Sequence, residues 1–236
     1  MRQIQKRHEP HRLTQFRAAY QSDPNFNYDL IDASLRKEIR QALMAEQRGL
    51  CAYTGRRIDE DSCHIEHLKP QKHCLKGEDV SYSNMVACVP APNAPDLPYG
   101  ARKKNSWPDP KIPAQAALFV SPLQEGCEER FSFTLNGEIG ASNPEDRSAK
   151  ETISHLRLCH DQLTQLRKAA IDNTLGVHGK GPASLDLSAA RRRLAGLVRA
   201  ESNTDPLEPF CFVLKQALEK HIKRLEAIRR NKKEQL

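Results

Sequence analysis

Two stretches of helical apolar spacing flank a segment that lacks it, and this arrangement limits the fold more than any other feature of the chain. Ile31, Leu35, Ile39 and Leu43 recur four residues apart, so 29–48 reads as an amphipathic helix stopped by Gly49. Ahead of it, Leu13, Phe16 and Tyr20 mark a short helix broken at Ser22-Asp23-Pro24-Asn25, and the first dozen residues read as a basic, extended arm ending at Pro10. From Leu50 to about Lys104 the apolar residues come in short runs among Cys, His, Pro and Asn, which predicts short strands and loops with one helix near the end. The alternation of Phe131, Phe133 and Leu135 into Asn136-Gly137 predicts a β-hairpin over 129–140.

Helical spacing returns from about residue 145. Ser148 and Glu151 have the spacing of a capping box, and Ile153, Leu156, Cys159, Leu163 and Leu166 make one helical face. Gly176 to Gly181 ends that helix, Leu187, Ala190, Leu194 and Leu197 mark another, and Asp205-Pro206 opens the last. Its stripe is Leu214, Leu218, Ile222, Leu225 and Ile228, and its other side carries Lys220, Lys223, Arg224, Arg229, Arg230, Lys232 and Lys233. The fold class is therefore mainly α with a small α+β insertion. It divides into a basic arm with helices (1–50), the insertion with its hairpin (51–142) and a helical region (143–236).

Composition narrows the function. The 236 residues suffice to bury a core, and 37 Lys+Arg against 30 Asp+Glu leave a net charge of +7, which favours a polyanionic partner such as nucleic acid. No apolar run approaches the roughly 20 residues of a membrane span, and no apolar stretch follows the basic start, so the expectation is a cytoplasmic protein without membrane association. Seven cysteines without a small-protein framework read as reduced thiols or metal ligands. A Gly-x-x-x-x-Gly-Lys-Ser/Thr loop is absent, so any nucleotide control comes from another chain.

The chemistry concentrates in Cys63-His64-Ile65-Glu66-His67-Leu68-Lys69-Pro70. A strand there puts His64 and Glu66 on one face, and the turn before Pro70 brings His67 beside them. A carboxylate holds a hard divalent cation while a neutral imidazole takes a proton from water, the combination that hydrolyses a phosphodiester with one metal. A later Asn fixes the tautomer of the imidazole by hydrogen bonding. The same His-x-Glu-His cluster also occurs in solvated loops, so the residues around it decide between the two.

Those residues resemble the HNH nuclease family with its ββα-metal core. The resemblance rests on Cys51-Ala52-Tyr53-Thr54-Gly55-Arg56, Ile65-Glu66-His67-Leu68-Lys69-Pro70 and Asn84-Met85-Val86-Ala87-Cys88. Within the family the chain is most similar to the PtuB-type HNH proteins of Septu and retron antiphage systems. Glu46-Gln47-Arg48-Gly49-Leu50, Tyr82-Ser83-Asn84 and Val120-Ser121-Pro122-Leu123 support this, and the similarity runs from residue 1 to about 140. The resemblance implies Glu66 as a metal ligand, His67 as general base and Asn84 as the residue that orients it. His64 either assists the metal or grips a phosphate, or is a structural histidine bonded to backbone. Lys69, Lys72, Arg102, Lys103 and Lys104 would neutralise flanking phosphates, and Trp107 and Tyr99 would stack on a base or anchor loops.

Two departures from the family pattern matter. The Cys pairs that hold a structural zinc are reduced here to Cys51 and Cys88, with Thr54 and Tyr99 in the other two places, which argues against zinc and for two packed, reduced thiols. The last metal ligand falls on Gly100 or Ala101, which leaves Asn93 or Asp96 in the Pro-rich loop as the nearest donors. The expected cofactor is one Mg²⁺ or Mn²⁺. The implied partners are a nucleic-acid substrate, a PtuA-like ABC-type ATPase and, in retron systems, a reverse transcriptase with its RNA–DNA hybrid. The resemblance thus implies a metal-dependent nuclease acting as the toxic effector of antiphage defence, or a degenerate HNH-fold adaptor that binds nucleic acid without cutting it.

Overall fold

The computed structural model describes residues 1–177, 179 and 181–234. An extended arm leads into α1 (His11–Tyr20) and then α2 (Ala33–Glu46). The arm is packed down: the Ile4 N–H donates to the Pro122 carbonyl at 2.8 Å, and the Lys6 ammonium meets the buried Glu46 carboxylate at 2.6 Å. Helix α2 starts later than its apolar spacing predicts, because Asp32 accepts a 2.8 Å hydrogen bond from the Leu35 N–H and caps it, while Tyr28–Leu30 form a separate turn. It buries Leu35, Ile39 and Leu43 and ends where Arg48 (φ 55°) and Gly49 (φ 74°) turn left-handed.

Strands β1 (His64–His67) and β2 (Met85–Cys88) form an antiparallel pair in which Glu66 faces Val86 and His67 faces Met85. Every residue of β2 is buried, and it packs beneath α2. The Gln47 side chain ties the two together, donating to the Ala87 carbonyl at 2.8 Å and accepting from the Ala87 N–H at 2.6 Å, so this buried amide is satisfied. Two short helical turns follow, α3 (Ala101–Lys104) and α4 (Pro113–Ala116). Next, β3 (Phe131–Phe133) and β4 (Ile139–Ala141) form the hairpin that the Asn-Gly signal predicts. Gly137 at its tip (φ 81°) presses on the following helical region so closely that a Cβ would lie 2.3 Å from the Thr164 carbonyl.

The helical region departs from the sequence reading in three places. The face predicted as one helix from Ile153 to Leu166 is two, α5 (Arg147–His155) and α6 (Asp161–Leu175), because Arg157 adopts φ 48° and the chain turns before His160 caps α6. The cap of α5 is Asp146, whose Oδ1 accepts from the Ala149 N–H at 2.9 Å, whereas Ser148 donates to the Ala117 carbonyl. After α7 (Leu187–Glu201), α8 (Cys211–Glu234) begins six residues beyond Asp205, because Phe210 is left-handed (φ 59°) and its N–H donates to the Gly55 carbonyl. One continuous core runs from Leu13 and Ile39 through Val86 and Phe131 to Leu163 and Leu214. The fold is thus mainly helical with two small antiparallel sheets, and among the described residues no helix is long and apolar enough to cross a membrane.

Candidate active site

The half-buried strand β1 forms one wall of a cleft of about 490 Å³. His64, Glu66 and His67 line it together with Arg36 and Arg40 of α2, Tyr28, Arg102 and Lys104. The three β1 residues reach one space because His64 and Glu66 share a strand face and His67 lies where β1 turns toward Pro70.

Glu66 is held ionised. Its Oε1 meets the Lys104 ammonium at 3.0 Å and its Oε2 lies 3.7 Å from His64 Nε2. Burial works against its charge, but His64 and Lys104 outweigh burial and lower its pKa. Lys104, whose side chain is only 1% exposed, also donates to the carbonyls of His67 (2.8 Å) and Leu68 (3.2 Å), so all of its partners are protein oxygens. It therefore acts inside the wall, and the phosphate contact expected of it from sequence is replaced by this internal role. Burial likewise disfavours a charge on His64, but the Glu66 carboxylate and the Pro90 carbonyl, 2.5 Å from Nδ1, together raise its pKa.

His67 is arranged differently. Its Nε2 lies 2.8 Å from the Asp79 carbonyl, which only accepts, so Nε2 carries the proton and Nδ1 the lone pair. Burial lowers its pKa, so the ring is neutral near pH 7, and the edge of Tyr28 packs against it at 4.7 Å between centroids. This is the form a general base requires.

Among the described residues, the Asn84 side chain makes no hydrogen bond to the His67 ring. Its Oδ1 accepts from the Lys69 N–H at 2.7 Å, and its Nδ2 donates to the carbonyls of Lys69 (3.1 Å) and Glu78 (3.4 Å). It braces the loop whose Asp79 carbonyl orients the imidazole. Sequence reading missed Asp79 because a backbone carbonyl has no residue signature. It missed Arg36 and Arg40 because a helix face toward a cleft looks like any solvated face.

The remaining candidates are dispersed. Lys69 pairs with Glu78, Lys72 is exposed, and Lys103 lies 3.7 Å from Asp96. Arg102 is tied to Asp96 at 2.5 Å and to the carbonyls of Ala91 (2.6 Å), Pro92 (2.7 Å) and Ala94 (3.0 Å), so it shapes the Pro-rich loop. Asn93 in that loop is exposed, and the cleft is lined there by Pro92. Trp107 is buried and stacks on His155 at 4.1 Å, and buried Tyr99 receives a 2.9 Å hydrogen bond from Arg56, so both anchor loops. Cys51 and Cys88 are buried free thiols beside one another.

Among the described residues, no three His, Cys, Asp or Glu side chains converge as a metal cluster. Two donors, Glu66 Oε2 and His64 Nε2, lie 3.7 Å apart in the cleft wall, and the buried Tyr53 hydroxyl lies beside Glu66 without a hydrogen-bond partner among the described residues. This donor set fits a divalent ion that takes its other ligands from water and from a phosphate.

No family model matches the chain. Over 147 residues, 60% of this chain, it is 25% identical to a curated protein of Vibrio cholerae serotype O1 biovar El Tor named "Retron Vc95 putative HNH endonuclease", of which the match covers 67%.

Proposed function

We propose that the cleft hydrolyses phosphodiester bonds of DNA or RNA as a metal-dependent HNH nuclease. The observation that carries the reading is the pairing of a neutral, tautomer-fixed His67 with an ionised Glu66 on consecutive residues of one cleft wall. The similarity to the retron protein named as an HNH endonuclease supports it, as does the order of strand pair and short helix, β1–β2–α3, around the cleft.

In this mechanism His67 Nδ1 takes the proton of the attacking water, and the Asp79 carbonyl holds the opposite ring nitrogen and stabilises the imidazolium that forms. Lys104 keeps Glu66 deprotonated and holds the carbonyls of His67 and Leu68, which steadies the turn that presents the base. Glu66 and His64 would hold one Mg²⁺ or Mn²⁺, which would supply positive charge to the phosphate and the departing oxygen. Asn84 braces the loop that carries Asp79.

The retron relative and the PtuB-like motifs support a biological role as the toxic effector of an antiphage system held in check by a PtuA-like ABC-type ATPase, with a reverse transcriptase and its RNA–DNA hybrid as further partners. A second reading, a non-cleaving adaptor on the same frame, is favoured by one observation: Lys104 already occupies Glu66 Oε1, and no third metal-binding side chain joins the pair among the described residues. Cleavage of radiolabelled DNA and RNA with and without Mg²⁺ or Mn²⁺ separates the two. The nuclease reading expects metal-dependent cutting that His67→Ala and Glu66→Gln abolish while nucleic-acid binding persists. Binding without cutting by the wild type, alone and with its neighbouring gene products, establishes the adaptor.

A further inference from the structure

Helix α2 distributes its charges unevenly. On its outward side Lys37 pairs with Glu60 at 3.1 Å, and Glu38 is met by Arg12 at 3.4 Å. Arg36 and Arg40, one helical turn apart, line the same cleft as His64, Glu66 and His67, and neither forms an ion pair among the described residues. Both Nε atoms are buried and make no hydrogen bond. Among the described residues, Arg36 donates only to the carbonyls of Tyr28 (3.4 Å) and Asp29 (3.1 Å) and lies over the Tyr28 ring at 4.9 Å, the same ring whose edge abuts His67.

Two half-buried guanidinium groups that form no ion pair among the described residues leave N–H donors in the cleft for an anion to complete. The cleft itself offers nothing: its carboxylate, Glu66, is taken by Lys104 and His64, and its other arginine, Arg102, is bound to Asp96. A planar fork of N–H donors matches phosphate oxygens, and residues four apart on a helix stand about 6 Å apart along its axis. We infer that Arg36 and Arg40 form a phosphate clamp that holds the sugar–phosphate backbone of a polynucleotide strand against β1, making α2 the second wall of the substrate channel. The inference rests on the nuclease reading of the same cleft and adds to it the surface that grips the strand.

The test is binding of a fluorescein-labelled single-stranded oligodeoxynucleotide, the same sequence as RNA, and its duplex, by fluorescence anisotropy across a salt series in EDTA. Proteins are the full chain carrying His67→Ala, alone or with Arg36→Gln, Arg40→Gln, both, Arg40→Lys or Lys37→Gln. Each clamp substitution is expected to weaken binding and to lower the slope of log K against log salt by about 0.7–0.9, with the double variant losing both increments. Lys37→Gln is expected to leave affinity and slope unchanged, and Arg40→Lys to keep the charge and part of the affinity, which separates phosphate contact from misfolding. Unchanged affinity and slope in the double variant would overturn the clamp and leave the nuclease reading standing, provided the His67-intact protein still cuts. Failure of the His67→Ala parent to bind any of the three probes, even at low salt, would overturn both.

Discussion

Two ion pairs of the same length show how differently the two halves of the molecule use charge. Lys104–Glu66 beside β1 and Lys215–Glu201 between α8 and α7 are both 3.0 Å apart. The first has side chains 1% and 15% exposed, the second 26% and 27%. Along the α7–α8 seam, charge decorates packed apolar faces, and pairs such as Arg191–Glu226 lie in solvent. Beside β1, charge is brought inside, where every group needs a partner and its protonation follows from that partner. The comparison teaches that separation alone says little about an ion pair: burial decides whether it is decoration or part of a site.

The contrast can be broken most sharply at Lys104. Lys104→Met leaves Glu66 buried without its cation and is expected to cost about 3–5 kcal/mol in urea denaturation, with Lys104→Met/Glu66→Gln recovering much of the loss. An unaltered midpoint in the single variant would show that the ammonium is dispensable. Next in size is Asp146, which caps α5 and accepts from Arg130 Nε at 2.7 Å. Asp146→Ala is expected to cost about 1–2 kcal/mol.

The Asp146 pair also carries a pH signature. Hydrogen bonding from Arg130 holds the Asp146 pKa below its ordinary value. Its stabilisation is therefore complete above the unfolded pKa, near 3.9, and is lost as pH falls through the lower folded one. Melting curves from neutral to acid pH should show that Asp146→Asn removes this increment of acid sensitivity; identical acid slopes in both proteins would refute it. The smallest effect belongs to the exposed pair, where Arg191→Ala is expected to shift stability by about 0–1 kcal/mol and to lose even that in high salt.

Periodicity made the helical frame legible, since Ile39 and Leu43, or Leu214 and Leu218, declare a buried stripe whatever their surroundings. Helix ends were harder, because Asp32 and Asp146 compete with equally plausible caps nearby, and only tertiary contacts choose between them. The break at Arg157 leaves no mark, since a left-handed non-glycine residue looks like any other in sequence. At the site, the grouping of His64 with Glu66 follows from strand alternation and was readable in advance. The role of Lys104 was not, because a Lys-rich turn reads as surface until the fold buries its last residue. The carbonyl of Asp79 could not be found at all, being backbone.

Asn84 has one further consequence. By joining Lys69 to Glu78, it closes the stretch between the two strands into a ring fastened at its neck, while Leu75 at the tip is 71% exposed. Changes of length or composition beyond the fastening are mechanically isolated from the imidazole. The tip around Leu75 and Lys76 is thus a place where this protein can vary, accept a graft or acquire a new contact while the chemistry beside β1 stays in register.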